Sequence, residues 1–313
     1  MKEELFEVIK NAASIQEMHV IASAFDNNAQ IMKAIFSRIN GEDIPGDYDD
    51  YHNICVCFAR IGDYSSACSI LEKGVEVFPK NVDLLADYLE YGTKCGKQEN
   101  CEKYLSVLLK IPYRLWTSRG FRFCINYLSN SFFCDDDNEE KRKQQAQDLC
   151  NEFQRYYPEE EDAYLTEYNM NCALGNREEA YKLLAKRVDE HTVMPRCCLR
   201  YCDLLLERGD FEAVIKYSAQ GIMGDAQSQS GIRVGYLFYI TGLARDAIIW
   251  RDNLFEDQGK VEEMYSDFQI SEMLLGEQDA SYNKQIQIRT TIMSQKSGIP
   301  YKRPGKQCFD ELE

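Results

Sequence analysis

Residues 48–81 read YDDYHNICVCFARIGDYSSACSILEKGVEVFPKN. Apolar side chains recur at spacings of three and four (Tyr51, Ile54, Phe58, then Ala67, Leu71), broken at Gly62-Asp63 and closed by Pro79. That is the pattern of two amphipathic helices joined by a tight turn. The same glycine-polar punctuation returns at Gly96-Lys97, Gly175-Asn176, Gly209-Asp210 and Gly259-Lys260. Gly62 and Gly96 stand 34 residues apart, as do Gly175 and Gly209. A period of this length belongs to stacked helix-turn-helix units. No stretch shows sustained period-two alternation, so the fold is expected to be all-α.

The residues around each glycine carry the reading further. Within 48–81, the small Ala67 and Gly74 fall where two helices must approach closely. The segment resembles a tetratricopeptide repeat, with Cys55 at the family's small position in the first helix. Looser copies run over 82–112 (Leu85, Gly96, Cys101, Leu105, Leu108, Pro112), 161–194 (Tyr164, Tyr168, Gly175, Ala180, Leu184) and 195–228 (Tyr201, Leu205, Gly209, Phe211, Gly221). Another begins at Trp116, Gly120 and Phe123 and resumes at Ala146, Cys150, Phe153 and Pro158, with an insertion near 126–143. The resemblance implies a right-handed superhelical solenoid of antiparallel helix pairs with helical caps. Residues 1–46 are then an N-terminal cap of two or three short helices, and 47–228 hold five repeats. Residues 229–297 form a divergent helix pair and capping helix, and 298–313 an extended tail with three basic residues from Gly298 to Lys306. Such repeats bury their apolar faces only by stacking on neighbours.

Composition narrows the function classes. The 313 residues include 36 Lys plus Arg and 52 Asp plus Glu, a formal net charge of −16. A polyanion is a poor match for that balance, so nucleic acid is not expected as a partner. No run of 18 uncharged apolar residues occurs, and no membrane span is expected. The segment MKEELFEVIK lacks the apolar core of a secretory signal. Thirteen cysteines cannot all pair with one another, and Cys55, Cys57, Cys68, Cys124, Cys150, Cys172 and Cys202 sit among apolar neighbours as small buried thiols. A cytoplasmic location is expected.

Chemistry is sparse. His19, His52 and His191 lie on three different elements. Cys55/Cys57 and Cys197/Cys198/Cys202 lack the two-residue gap of a zinc knuckle or redox pair. Ser281 and Lys284 have a nucleophile-pair spacing without its companion motifs, and Gly96-Lys97 lacks the rest of a phosphate loop. The carboxylates of 135–140 and 159–162 read as solvated faces, since the Ca²⁺-loop spacing is absent. No catalytic residue, metal or cofactor is expected.

The resemblance instead implies a concave groove lined by first helices that binds a protein or peptide segment. In register, that groove holds Asp49, His52, Val56 and Arg60; Asp83, Ala86, Glu90 and Lys94; Arg114, Thr117 and Phe121; Asp162, Leu165 and Asn169; and Arg196, Leu199 and Asp203. The lysines, asparagines and arginine with which some members grip acidic chaperone tails do not stand at these positions. The acidic groove favours a ligand with positive charge and one or two apolar anchors. A non-enzymatic scaffold or adaptor is the first expectation. The alternative is a regulatory sensor that binds a small peptide and changes solenoid shape. The tail and the caps are candidate surfaces for self-association.

Overall fold

The computed structural model describes residues 2–130, 139–190, 193–229, 232–276 and 279–304. Sixteen α-helices and one short 3₁₀ turn (Tyr113–Leu115) make up the regular structure of those residues. They are α1 (Lys2–Asn11), α2 (Ile15–Ala24), α3 (Ala29–Gly41), α4 (Tyr48–Arg60), α5 (Tyr64–Val77), α6 (Val82–Lys94), α7 (Gln98–Leu108) and α8 (Ser118–Asn130). There follow α9 (Glu139–Tyr156), α10 (Glu161–Ala173), α11 (Arg177–Glu190), α12 (Pro195–Arg208), α13 (Phe211–Ser228), α14 (Val234–Asp252), α15 (Gln258–Leu275) and α16 (Ala280–Ser297). The described residues are all-α, with successive helices packed on one another.

Local sequence places most of the boundaries. Gly62, Gly96, Gly175 and Gly209 adopt φ between 74° and 78°, the left-handed conformation that a non-glycine residue enters at a cost. Each ends a helix, and the next begins within a few residues on a polar start such as Asp63 or Asp210, whose carboxylates cap Ser66 and Ala213. Gly259 behaves differently from its expected role: it lies inside the first turn of α15, and the preceding break is made by Asn253 at φ 54°. The third helix pair also starts late. Trp116 precedes α8 in extended backbone, buried, its indole N–H donating to the Ile111 carbonyl (3.0 Å).

The chain divides into two compact units, residues 1–176 and 177–313, a division that falls between α10 and α11 inside the fourth expected repeat. In the first unit, α2, α4, α6, α8 and α10 pack successively on one another, while α1, α3 and α5 form part of a second layer. The core between the layers is continuous from Ile9 to Met170, with Phe58, Tyr88, Phe121 and Phe153 wholly buried. A side chain of this size contributes about 1.5–3 kcal/mol when fully buried. Contacts at Gly74, where a Cβ would meet the Tyr51 ring at 3.0 Å, show why that position is glycine.

The second unit packs α11 through α16 in succession, with α12 also touching α14. A close approach within it is at Gly242, whose Cβ would fall 2.6 Å from Phe268. The described part of the tail lies on this unit. Tyr265 and Gln269 of α15 donate to the carbonyls of Ile299 (3.0 Å) and Lys302 (2.6 Å), and Tyr301 donates to Glu272 (2.7 Å). Residues 305–313, the acidic run 135–137, His191 and the centre of the expected insertion (131–138) lie outside the described residues.

Candidate functional site

The first unit carries a polar ladder across α4, α6, α8 and α10. It starts with helix placement. Asp47 and Asp50 form a reciprocal capping box at the head of α4, and Asn81 caps α6 through Leu84 N–H (3.0 Å). Helical spacing then aligns Asp49, His52, Val56 and Arg60 on one face of α4, and Asp83, Asp87, Glu90 and Lys94 on one face of α6. Thr117 caps α8 by accepting from Gly120 N–H (3.0 Å) and donates its hydroxyl to Asp83. Gly120 lets α8 close on α6: a Cβ there would meet Val82 Cγ1 at 2.4 Å.

That close approach brings Arg119 over α6. Its Nε reaches Asp83 Oδ1 (3.3 Å) and stands 3.9 Å from Asp87 Oδ1, while Nη1 lies 2.6 Å from His52 Nε2. Guanidinium only donates, so His52 Nε2 accepts and Nδ1–H donates to Asp87 Oδ2 at 2.6 Å. His52 is thus the neutral Nδ1–H tautomer in this arrangement. Asp87 is 0% exposed, and its Oδ1 makes no hydrogen bond. Burial works against the charge of Arg119, but the carboxylates of Asp87, Asp83 and Asp49 outweigh it and raise its pKa. The ladder continues through Arg122 Nη1 on Asp162 Oδ2 of α10 (3.0 Å). On α6, Lys94 pairs with Glu90 (2.5 Å) and lies over the rings of Tyr64 and Tyr91.

Chemically, the polar groups of the ladder are committed to one another. The imidazole lone pair that a general base would use is held by Arg119. The neighbouring Cys55 thiol is fully buried, and burial, reinforced by the Asp87 charge, pushes its pKa well up, which disfavours the thiolate. Among the described residues, no group of three or more His, Cys, Asp or Glu is placed to hold a metal ion. No described helix is long and apolar enough to cross a membrane.

The expected groove residues meet different fates. Asp49, Arg60, Lys94 and Asn169 are exposed; His52, Val56, Glu90, Asp162 and Leu165 are half-buried. Ala86 and Phe121 are not groove residues at all: both are 0% exposed, and Phe121 stacks on Phe153 at 5.2 Å. The error is one of register, because α8 begins only at Ser118, after the 3₁₀ turn that holds the exposed Arg114. Arg119 and Arg122, with Thr117 through its bond to Asp83, make up the α8 part of the ladder, and Phe121 does not. Asp83 is nearly buried and already engaged. The acidic character expected of the groove is offset in this unit, since Asp83 and Asp87 face Arg119, Glu90 faces Lys94, and Asp162 faces Arg122. Sequence reading missed Arg119 and Arg122, and with them the contacts that His52 and Arg119 make to Asp87.

In the second unit, Arg196 is exposed and Leu199 half-buried on α12. Asp203 accepts from Tyr236 of α14 (3.1 Å) and lies 3.8 Å from Arg200, with burial raising its pKa overall. Two cavities in the first unit are lined by other residues. One of about 560 Å³ opens between α1 and α2 against Val8, Ala12, Val20 and Ile21, and one of about 410 Å³ lies beside Tyr51 and Lys73.

No protein-family profile and no curated protein matches the chain. Among solved structures it is similar to a thermophilic tetratricopeptide repeat protein of Thermus thermophilus, at 16% identity over 58% of this chain and 92% of that chain, with a TM-score of 0.42. It is also similar to a tetratricopeptide repeat protein of Parabacteroides merdae, at 13% identity over 91% and 99%, TM-score 0.44. A third similar structure is a human IFIT1 dimer with PPP-AAAA, at 10% identity over 93% and 70%, TM-score 0.36. The helix-pair repeat of this chain is read from its own helices.

Proposed function

We propose that the protein is a non-enzymatic scaffold or adaptor that binds a segment of another protein along the face of α4, α6, α8 and α10. The observation that supports this most is the ladder itself: His52, Asp83, Asp87, Arg119, Arg122 and Asp162 hold one another in place on four successive helices. Side chains already ordered before binding lose little freedom when a ligand arrives. Because most carboxylates of this face are internally balanced, positive charge on the ligand has its clearest counterpart in the exposed Asp49. Val56 and Leu165, both half-buried, offer apolar contacts to either side. A net charge of −16 favours protein over nucleic acid as the partner, and the reading includes a cytoplasmic location.

A test uses exposed positions that leave the ladder intact. Peptides selected from a displayed library on the full chain are measured against Asp49→Lys and Asn169→Arg, with helicity checked by circular dichroism. An affinity loss of tenfold or more in either variant is expected. Selected peptides that bind both variants as tightly as the parent would move the binding surface elsewhere.

A further inference from the structure

Cys68, on α5, is 0% exposed; Cys95 caps the end of α6 and is half-buried, and their Sγ atoms are 3.3 Å apart. Other thiols face different groups: Cys101 points at the Tyr88 carbonyl, Cys150 at the Met170 sulfur, and Cys202 at Ser218 and the Val214 carbonyl. A disulfide needs the two sulfurs at about 2.05 Å, so the approach required is on the order of 1 Å. Cys95 stands where that movement is easiest. It is the last residue before Gly96, which is in the left-handed conformation with nothing within 4 Å of its Cβ direction. Cys68 is fixed in the packed interior between helices, so the two thiols differ in the way a peroxide-reactive pair requires: one reachable, one sheltered beside it.

We propose that Cys68 and Cys95 are a modification site, a dithiol that peroxide closes to a disulfide. The Cys95 thiolate attacks a peroxide oxygen, the O–O bond breaks, and Cys95 becomes a sulfenic acid as water or an alcohol leaves. Cys68 then attacks the Cys95 sulfur and expels water, its thiol proton and the sulfenic oxygen leaving together. Two thiols and one peroxide yield one disulfide, one water and one further water or alcohol. Burial disfavours the Cys68 thiolate, with the Cys95 contact adding to this, while the nearby Lys97 ammonium works the other way. The second step therefore depends on contact rather than on a standing thiolate. Disulfides of this transient kind are the ones found in reducing compartments. The bond would pin α5 to the end of α6, beside the Glu72–Tyr88–Lys97–Asn100 cluster.

The experiment takes the full reduced chain, treats it with one equivalent of hydrogen peroxide, alkylates it under denaturing conditions and digests it with trypsin without reduction. Peptide 61–73 joined to peptide 95–97, with a loss of two hydrogens, is the expected product. It should be absent in Cys95→Ser, whose position is half-buried and tolerates the change, and oxidation should raise the melting temperature of the parent but not of that variant. Oxidation of Cys95 to the sulfinic acid with Cys68 still alkylatable would overturn the proposal. So would linkage of either cysteine to Cys101 or to another chain, or no linkage at all.

Discussion

Replacing Arg119 with Met should expose how much of the first unit rests on one guanidinium. Asp87 is 0% exposed and Arg119 24% exposed, with 3.9 Å between them and 3.3 Å from Arg119 to Asp83. Two unit charges at that separation interact by about 4 kcal/mol at an effective dielectric of 20. Removing one partner of a buried pair typically costs about 3–5 kcal/mol, because the other charge is left uncompensated. Partial exposure of Arg119 and the surviving His52 donor lower the expectation to about 3 kcal/mol. Asp87→Asn keeps an acceptor for His52 and leaves Arg119 its contact with Asp83, so about 1 kcal/mol is expected. The double variant carries no uncompensated buried carboxylate at 87 and should lose only about 2 kcal/mol, well short of the sum of the singles. Urea unfolding by circular dichroism measures all three, and amide exchange of α6 reports the first unit separately from the second. Additivity within about 0.5 kcal/mol would refute the coupling, and with it the account of the ladder as a single electrostatic unit.

Three further variants test other parts of the structure. Gly242→Ala places a methyl 2.6 and 2.7 Å from ring carbons of the fully buried Phe268; overpacking of about 1–3 kcal/mol should exceed the gain of about 1 kcal/mol in helix propensity. Gly259→Ala, whose nearest neighbour would be Asp257 Oδ1 at 3.5 Å, should be neutral or stabilising, and equal urea midpoints for the two variants would contradict the assigned α14–α15 contact. Glu72 tests the pH dependence. Burial raises its pKa, but hydrogen bonds from Tyr88 (2.6 Å), Lys97 (3.0 Å) and Asn100 (3.3 Å) outweigh it and leave the carboxyl below its ordinary range. A lowered folded-state pKa stabilises fully above the unfolded value, about 4.3, and that stability is lost as pH falls through the folded one. The parent should therefore lose its thermal-stability advantage over Glu72→Gln as pH drops below about 4, and a constant gap from pH 7 to pH 3 would show that Glu72 is not so perturbed.

What local chemistry dictates was legible in the chain. A left-handed turn residue is glycine for steric reasons that involve only its own backbone, so Gly62, Gly96, Gly175 and Gly209 announced helix ends wherever they occurred. Apolar spacing announced which faces of α4 and α5 are buried, down to Tyr51, Ile54, Phe58, Ala67 and Leu71. Cysteine burial was legible too, except that Cys172 is half-buried. The register of α8 was not legible. Trp116 matches the first-helix pattern in sequence, yet it packs ahead of the helix because Pro112 and the 3₁₀ turn delay the start to Ser118. Phe121 therefore reads as outward-facing in the sequence, and Arg119 and Arg122 stay unassigned.

The sequence by itself determined the helical class, the repeat period and most of the helix ends, because each depends on residues within one turn of one another. Only the tertiary structure decided which carboxylates are available to a ligand. A carboxylate reads as solvent-facing in any local window, and Asp87 is buried only because His52, 35 residues earlier, and Arg119, on the following first helix, converge on it. That convergence in turn depends on α8 lying against α6 at Gly120, where no side chain holds the two helices apart.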